Sequence, residues 1–270
     1  MQEWAHLAPW IVLPDDHEFI DDYHMGMWNE QVEERIRAWE RYTPVAPGSA
    51  ANLAPGRGGR NFAIDLPGVN WLLVLIDTRS QRSTQIGRGG FPYEWFHRDE
   101  LFGPQKIMTK QQWQWLEEQM RYARQHNRCL LLVQQGVVGP LVYDTGHNGE
   151  HVAVFPGCWD GYASERERLL AMLRRYSLEK TVIIGGDWHI GLSGAFRLRG
   201  ERQPLAWDFV TTSLSLDCWW YSSVEQAVER SDHWYWCGGN RRGALAVTLE
   251  RNLAYVEHRY RMGEQHITEI

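Results

Sequence analysis

Two short segments hold most of the side chains able to do chemistry. The run Asp15-Asp16-His17-Glu18 continues to Asp21-Asp22-Tyr23-His24, so five carboxylates and two imidazoles fall within ten residues. Such a run repels itself unless positive charge sits among it. A divalent or trivalent cation reverses that penalty, because hard metals take carboxylate oxygens and intermediate ones accept imidazole. The bland alternative is a solvated acidic loop with an aspartate as helix cap. The second segment is Gly185-Gly186-Asp187-Trp188-His189. Residues two apart in an extended segment share a side, so Asp187 and His189 are expected to converge. The paired glycines permit a tight turn and a close approach of backbone to ligand. Here the alternative is a turn with one capping Asp and one surface His.

Both segments are expected to leave strands, at residues 10–14 and 181–184. Ligands of open α/β sheets sit off the carboxyl ends of strands, so parallel neighbours would bring the two segments into one site. A third buried run, residues 71–76, leads into Asp77-Thr78-Arg79 and Arg82. Arg79 or Arg82 could fork onto a phosphate, or pair with Asp77 as a structural bridge. Asp160, in Trp159-Asp160-Gly161-Tyr162, reads as local turn chemistry. His258 reads as packed or exposed rather than catalytic.

The elements that must position these residues alternate between strands and helices. Helical periodicity is clear over residues 28–42, after Thr109, and over 165–176. Buried strands are expected at 71–76, 130–133, 181–184, 207–211, 244–249 and 253–258. Residues 43–68 read as loop and 80–106 as irregular. This alternation predicts an α/β or layered fold, and no composition break divides the chain, so residues 1–270 read as one domain.

Composition narrows the function. The chain of 270 residues has 34 acidic and 28 basic side chains, a net charge of −6, which disfavours nucleic acid as main partner. Arginine outnumbers lysine 25 to 3, which suits recognition of phosphate or carboxylate and also fits a GC-rich gene. Four cysteines lack any CxxC spacing, so neither a zinc ribbon nor a disulfide scaffold is expected. No apolar run approaches the ~20 residues of a membrane span. No signal peptide follows Met1, so a cytoplasmic location is expected if that terminus is the natural one. GxSxG, Walker A, HExxH and GxGxxG motifs are absent, and no strand feeds the glycines at 87–90. Of the 15 tryptophans most read as core, whereas Trp219, Trp220, Trp234 and Trp236 could line a pocket.

In order along the chain, Asp15-Asp16-His17-Glu18, Leu75-Ile76-Asp77-Thr78-Arg79, Gln112-Trp113-Gln114-Trp115-Leu116, Trp159-Asp160-Gly161-Tyr162 with Glu165-Arg166, and Gly186-Asp187-Trp188-His189 form a pattern. That pattern resembles the PhoD-like (alkaline phosphatase D) metallophosphoesterases over residues 10–260. The resemblance implies an αββα sandwich and hydrolysis of phosphomonoesters or phosphodiesters, with a small phosphate ester as substrate. It implies Asp16, Asp187 and His189 as metal ligands, Asp15 beside them, His17 as the catalytic group at the leaving oxygen, and Arg79 as the substrate-binding group. Iron and calcium are the implied metals; manganese and zinc suit the same ligands.

Two further motifs that the family carries upstream have no counterpart before Asp15. The chain thus reads as the C-terminal part of the catalytic domain, N-terminally truncated and lacking its first strands and about half the expected ligands. Two other readings stand beside the phosphoesterase: a non-catalytic relic or interaction module on the same scaffold, and a carbohydrate-binding module built on residues 219–236. Oligomeric state is open.

Overall fold

The computed structural model describes residues 11–44, 50–87, 93–146, 148–198, 200–201, 203–261 and 263–270. Its helices are α1 (Asp16–Phe19), α2 (Glu30–Tyr42), α3 (Ala50–Leu53), α4 (Lys110–Gln125), α5 (Ala163–Tyr176) and α6 (Tyr221–Glu229). The strands are β1 (Phe62–Asp65), β2 (Trp71–Leu75), β3 (Glu94–His97), β4 (Cys129–Val133), β5 (Val142–Thr145), β6 (His151–Val154) and β7 (Thr181–Gly185). They continue with β8 (Leu192–Phe196), β9 (Ala206–Val210), β10 (Trp234–Cys237), β11 (Gly243–Glu250), β12 (Leu253–Tyr260) and β13 (Gln265–Glu269).

Seven strands form one mixed sheet in the order β1-β2-β4-β7-β9-β8-β10. Its centre is parallel: β2 with β4, β4 with β7, and β7 with β9. The strands β1, β8 and β10 join it antiparallel. The central strands are continuous apolar runs because both of their faces are covered. On one face α4 and α5 lay Trp113, Leu116, Met120, Leu169 and Leu173 against Leu72, Val74, Leu130, Leu132 and Ile183. Each such fully buried leucine contributes roughly 1.5–3 kcal/mol. On the other face Leu131, Val182 and Phe209 meet Ala254, Val256 and Ile270, which brings the three-stranded sheet β11-β12-β13 face to face with the large one. This is the layered α/β arrangement expected.

Thr109 caps α4 through a reciprocal bond with Gln112, as its sequence implies. Other expectations need correction. Residues 11–14 form no strand, and Trp10 lies outside the described residues, as do residues 88–90 of the glycine run. The stretch read as loop, 43–68, contains α3 and β1, and the irregular stretch 80–106 contains β3 and a 3-10 helix at Arg98–Phe102. The strands β5, β6, β8, β10 and β13 and the helix α6 were not legible. They are four or five residues long apart from α6, and they mix glycine, charge and aromatics without a clean period. No described helix is long and apolar enough to cross a membrane.

Candidate active site

The acidic segment is seated by a small core of its own. Phe19, Tyr23, Val32, Ile36 and Leu53 bury one another, and Phe19 stacks on Tyr23 at 4.3 Å. Asp15 is the N-cap of α1, bonded reciprocally with Glu18. The segment therefore leaves no strand. It is tied to the strand ends by side chains: Gln135, just past β4, donates from Nε2 to the Pro14 carbonyl at 2.8 Å. Arg82, past β2, donates from Nε to the Tyr23 carbonyl at 2.7 Å. Proline at 14 offers no N–H for a ladder, and its carbonyl is held instead by this amide.

Arg79 is the centre of the assembly. Its guanidinium is 2% exposed and donates from Nε to Asp15 at 2.6 Å and from Nη2 to Asp187 at 2.7 Å. Asp77 is not its partner. That carboxylate accepts from the backbone N–H groups of Arg79, Ser80 and Arg60 and from the Ser80 hydroxyl, which turns the chain after β2. The sequence left a structural bridge or a phosphate contact open for Arg79. The structure gives it a bridge, but to the two distant acidic segments. Gln134 and Gln135 complete this layer, with Thr78 donating from its hydroxyl to both. They occupy the end of β4 as Asp77 and Asp187 follow β2 and β7, so the strand-end argument would have found them.

Asp187 and His189 converge, but not by extended alternation. Both have left-handed backbones, with φ of 73° and 55°. A non-glycine residue held there costs about 1–2 kcal/mol, and such positions concentrate at functional sites. Gly185 precedes them because a Cβ there would come within 2.0 Å of the Gly136 carbonyl oxygen. Its lack of a side chain lets the ends of β4 and β7 close up.

Carboxylate oxygens of Asp15, Asp16 and Asp187 lie within 4.8 Å of one another, and ligand atoms of Asp16, His17 and Asp21 form a second such group. Burial pushes the Asp15 carboxyl up to about 6, against the pull of Arg79. Burial likewise raises Asp187 despite Arg79. For Asp16 burial is outweighed by Arg79, the Asp22 N–H and His17, so its carboxyl lies below the usual range. Burial and the neighbouring His17 lower His189. The Nδ1 of His189 is buried and has no hydrogen-bond partner among the described residues. Hard oxygen donors, an orphaned imidazole nitrogen and carboxylates resisting ionisation together fit a cation.

These groups open onto a cavity of about 440 Å³. Asp16, His17, Asp187 and His189 line it, together with Trp188, Leu216, Trp219 and Trp220. The side chain of His17 is 70% exposed there, 3.8 Å from Asp21. Arg79 lies beneath the floor and does not line the cavity. Of the four tryptophans expected to line a pocket, Trp219 and Trp220 do so. Trp234 is buried in the core, and Trp236 stacks on His266 at 4.1 Å. Asp160 accepts from the Leu141 N–H at 2.9 Å and pairs with Arg166, so its role is structural. His258 is buried and bonded to Ser193 at 3.1 Å.

Comparison with known proteins agrees with the geometry. Alkaline phosphatase D of Bacillus subtilis (strain 168) is 25% identical over 222 residues, which cover 78% of this chain and 37% of that protein. The solved structure of PhoD superposes with a TM-score of 0.76 at 19% identity, over 96% of this chain and 51% of that one. The purple acid phosphatase PPD1 of yellow lupin (Lupinus luteus) superposes with a TM-score of 0.55 at 10% identity, over 97% of this chain and 40% of that one. The chain thus spans between about a third and a half of the length of these relatives, and the fold it shares with them is metallophosphoesterase-like. The sequence profile of the PhoD-like phosphatases matches residues 1–258, within which the whole carboxylate–histidine cluster falls, and the chain belongs to that family.

Proposed function

We propose that this chain carries a metal-dependent phosphoesterase site acting on small phosphate esters, monoester or diester. The observation that carries the reading is the meeting of Asp15, Asp16 and Asp187 within 4.8 Å, beside a cavity lined by Asp16, Asp187, His17 and His189. Asp16, Asp187 and His189 are the metal ligands, with Asp15 beside them. A metal ion held there supplies Lewis-acid polarisation of the phosphoryl oxygens and a water acidic enough to attack phosphorus. The remaining chemistry belongs to the protein. His17 reaches into the cavity from the helix start, 3.8 Å from Asp21, and its imidazole is the group to hand a proton to the departing alkoxide. Arg79 acts beneath the surface, holding Asp15 and Asp187 in register rather than gripping substrate. Iron, calcium, manganese and zinc are the metals to try.

The same arginine favours a second reading. A guanidinium already pairs with two of the three clustered carboxylates and offsets part of their charge, so the scaffold can stand without a cation as a non-catalytic module. Elemental analysis after exposure to each metal, with hydrolysis of p-nitrophenyl phosphate and bis-p-nitrophenyl phosphate, separates the two. The phosphoesterase reading expects stoichiometric metal, and a loss of roughly 100-fold in activity in Asp187→Asn and His189→Asn. Asparagine keeps the left-handed backbone acceptable at both positions. A well-folded chain that holds no metal and hydrolyses neither ester would sink it and leave the module.

A further inference from the structure

One half of the cavity has no part in the chemistry above. Leu216, Trp219, Trp220 and Trp188 form an apolar wall of it, with Asp217 between Leu216 and Trp219 in the chain also lining it. Trp219 is 70% exposed, and Leu216 is 53% exposed. An indole left in water beside a polar cluster forgoes the burial that large rings ordinarily obtain, and exposed apolar patches rimmed by polar groups mark binding surfaces. The rings are ordered as a set. Trp219 stands edge-on to Trp220, with centroids 5.1 Å apart at 86°, and Trp220 stands edge-on to Trp188 at 5.9 Å and 88°. Trp220 in turn lies 5.9 Å from the imidazole of His189. The wall is therefore continuous with the metal-ligand cluster.

The segment is also braced. The Ser213 hydroxyl accepts from the Leu216 N–H at 2.9 Å, and the Asn240 side chain accepts from the Cys218 N–H at 2.7 Å. Cys218 is fully buried just before Trp219. With the backbone leading into Trp219 held in this way, less chain freedom is lost when a ligand covers the ring, which favours binding.

From this the geometry points to a specificity determinant: Trp219, backed by Trp220 and Leu216, receives the alcohol portion of the ester, and that portion carries an aromatic ring. The inference rests on the phosphoesterase reading for which end of the ligand meets the carboxylate–histidine end. The ring then covers Trp219 offset-stacked or edge-on. A short alkyl alcohol leaves the indole in water, and a polyol covers it with less apolar surface than an aromatic ring does.

Benzyl phosphate and ethyl phosphate test this, because their alcohols are of similar acidity and differ in the ring. Their kcat/KM values are measured on the full chain supplied with metal, and the Kd values of the inert benzylphosphonate and ethylphosphonate are measured by calorimetry. The expected result is a preference of about tenfold for the benzyl compound in both assays, the size of one well-covered ring contact. In Trp219→Ala that ratio falls towards one, and in Trp219→Phe it is largely kept. Because Trp219 is mostly exposed, neither substitution endangers the fold. Equal turnover and equal binding of both compounds would overturn the wall while leaving the phosphoesterase reading intact. A preference for glucose 6-phosphate over benzyl phosphate would also overturn it. A benzylphosphonate preference without turnover of either ester would uphold the wall and overturn the hydrolytic reading. Failure to bind either phosphonate together with failure to turn over either ester would overturn both.

Discussion

Asp187 follows β7 and Asp208 lies within the neighbouring β9, and each has a histidine close by, yet the two pairs have opposite fates. Asp208 sits within β9, 1% exposed, and accepts from the Gly139 N–H at 2.7 Å while lying 3.1 Å from Nε2 of His233. Neither Asp208 nor His233 lines the cleft at Asp187. Asp187 lies two residues past the end of β7, on a left-handed backbone, and with His189 it lines the open cleft. One pair closes a gap in the core with every contact inward. The other spends conformational energy to hold donors that few neighbours satisfy. Carboxylate plus imidazole is thus no site in itself. What distinguishes the two is whether unsatisfied lone pairs look into space that a ligand can fill.

Stability measurements break or sharpen this contrast. The largest effect is expected from Asp208→Ala, which strands both the Gly139 N–H and His233 in the interior. A loss of about 3 kcal/mol in urea denaturation is expected; a loss under 1 kcal/mol would mean that the inner pair is not structural.

The sealed region should also announce itself in pH dependence. Burial among Ser193, Trp236 and His266 pushes the His258 imidazole down to about 3 from an ordinary value of 6.5. Above pH 6.5 that ring is neutral in both folded and unfolded chains and has no effect. As pH falls from 6.5 towards 3 the unfolded chain binds a proton that the folded one refuses. Stability therefore declines with acid, by up to about 1.4 kcal/mol per pH unit. Denaturation midpoints of the parent and His258→Gln, compared between pH 7 and 5, should show a shallower slope in the variant; parallel slopes would place a charged or solvated imidazole there.

The smallest effect is expected at the open pair. His189→Asn removes a ring whose Nδ1 has no described partner and keeps a residue tolerant of positive φ, so stability should change by no more than about 0.5 kcal/mol. A drop comparable to that of Asp208→Ala would erase the distinction between the two regions.

The chemistry-bearing residues were legible because they are short, polar and adjacent. Asp15-Asp16-His17 and Gly186-Asp187-Trp188-His189 stand out from any apolar background, and Thr109 and the apolar runs of β2, β4 and β7 follow from capping and burial alone. Local pattern misjudged how the cluster is assembled. It placed a strand before Asp15, where residues 11–14 have no regular structure and Asp15 caps a four-residue helix, and it placed Asp187 and His189 on an extended backbone, where both are left-handed. It also offered Asp77 as the bridge partner of Arg79, whereas its fork joins segments 64 and 108 residues away.

The sequence by itself determined which residues can ligate, which strands are buried and which family pattern the chain carries, since those depend on residue type and near-neighbour spacing. The tertiary structure alone decided that one arginine would bind two acidic segments, that Gln135 would hold Pro14, and that two of four clustered tryptophans would face the cavity while Trp234 entered the core and Trp236 packed on His266. Those outcomes turn on which strand ends lie side by side in the sheet order, and contacts between residues far apart in sequence leave no periodicity for a local reading to detect.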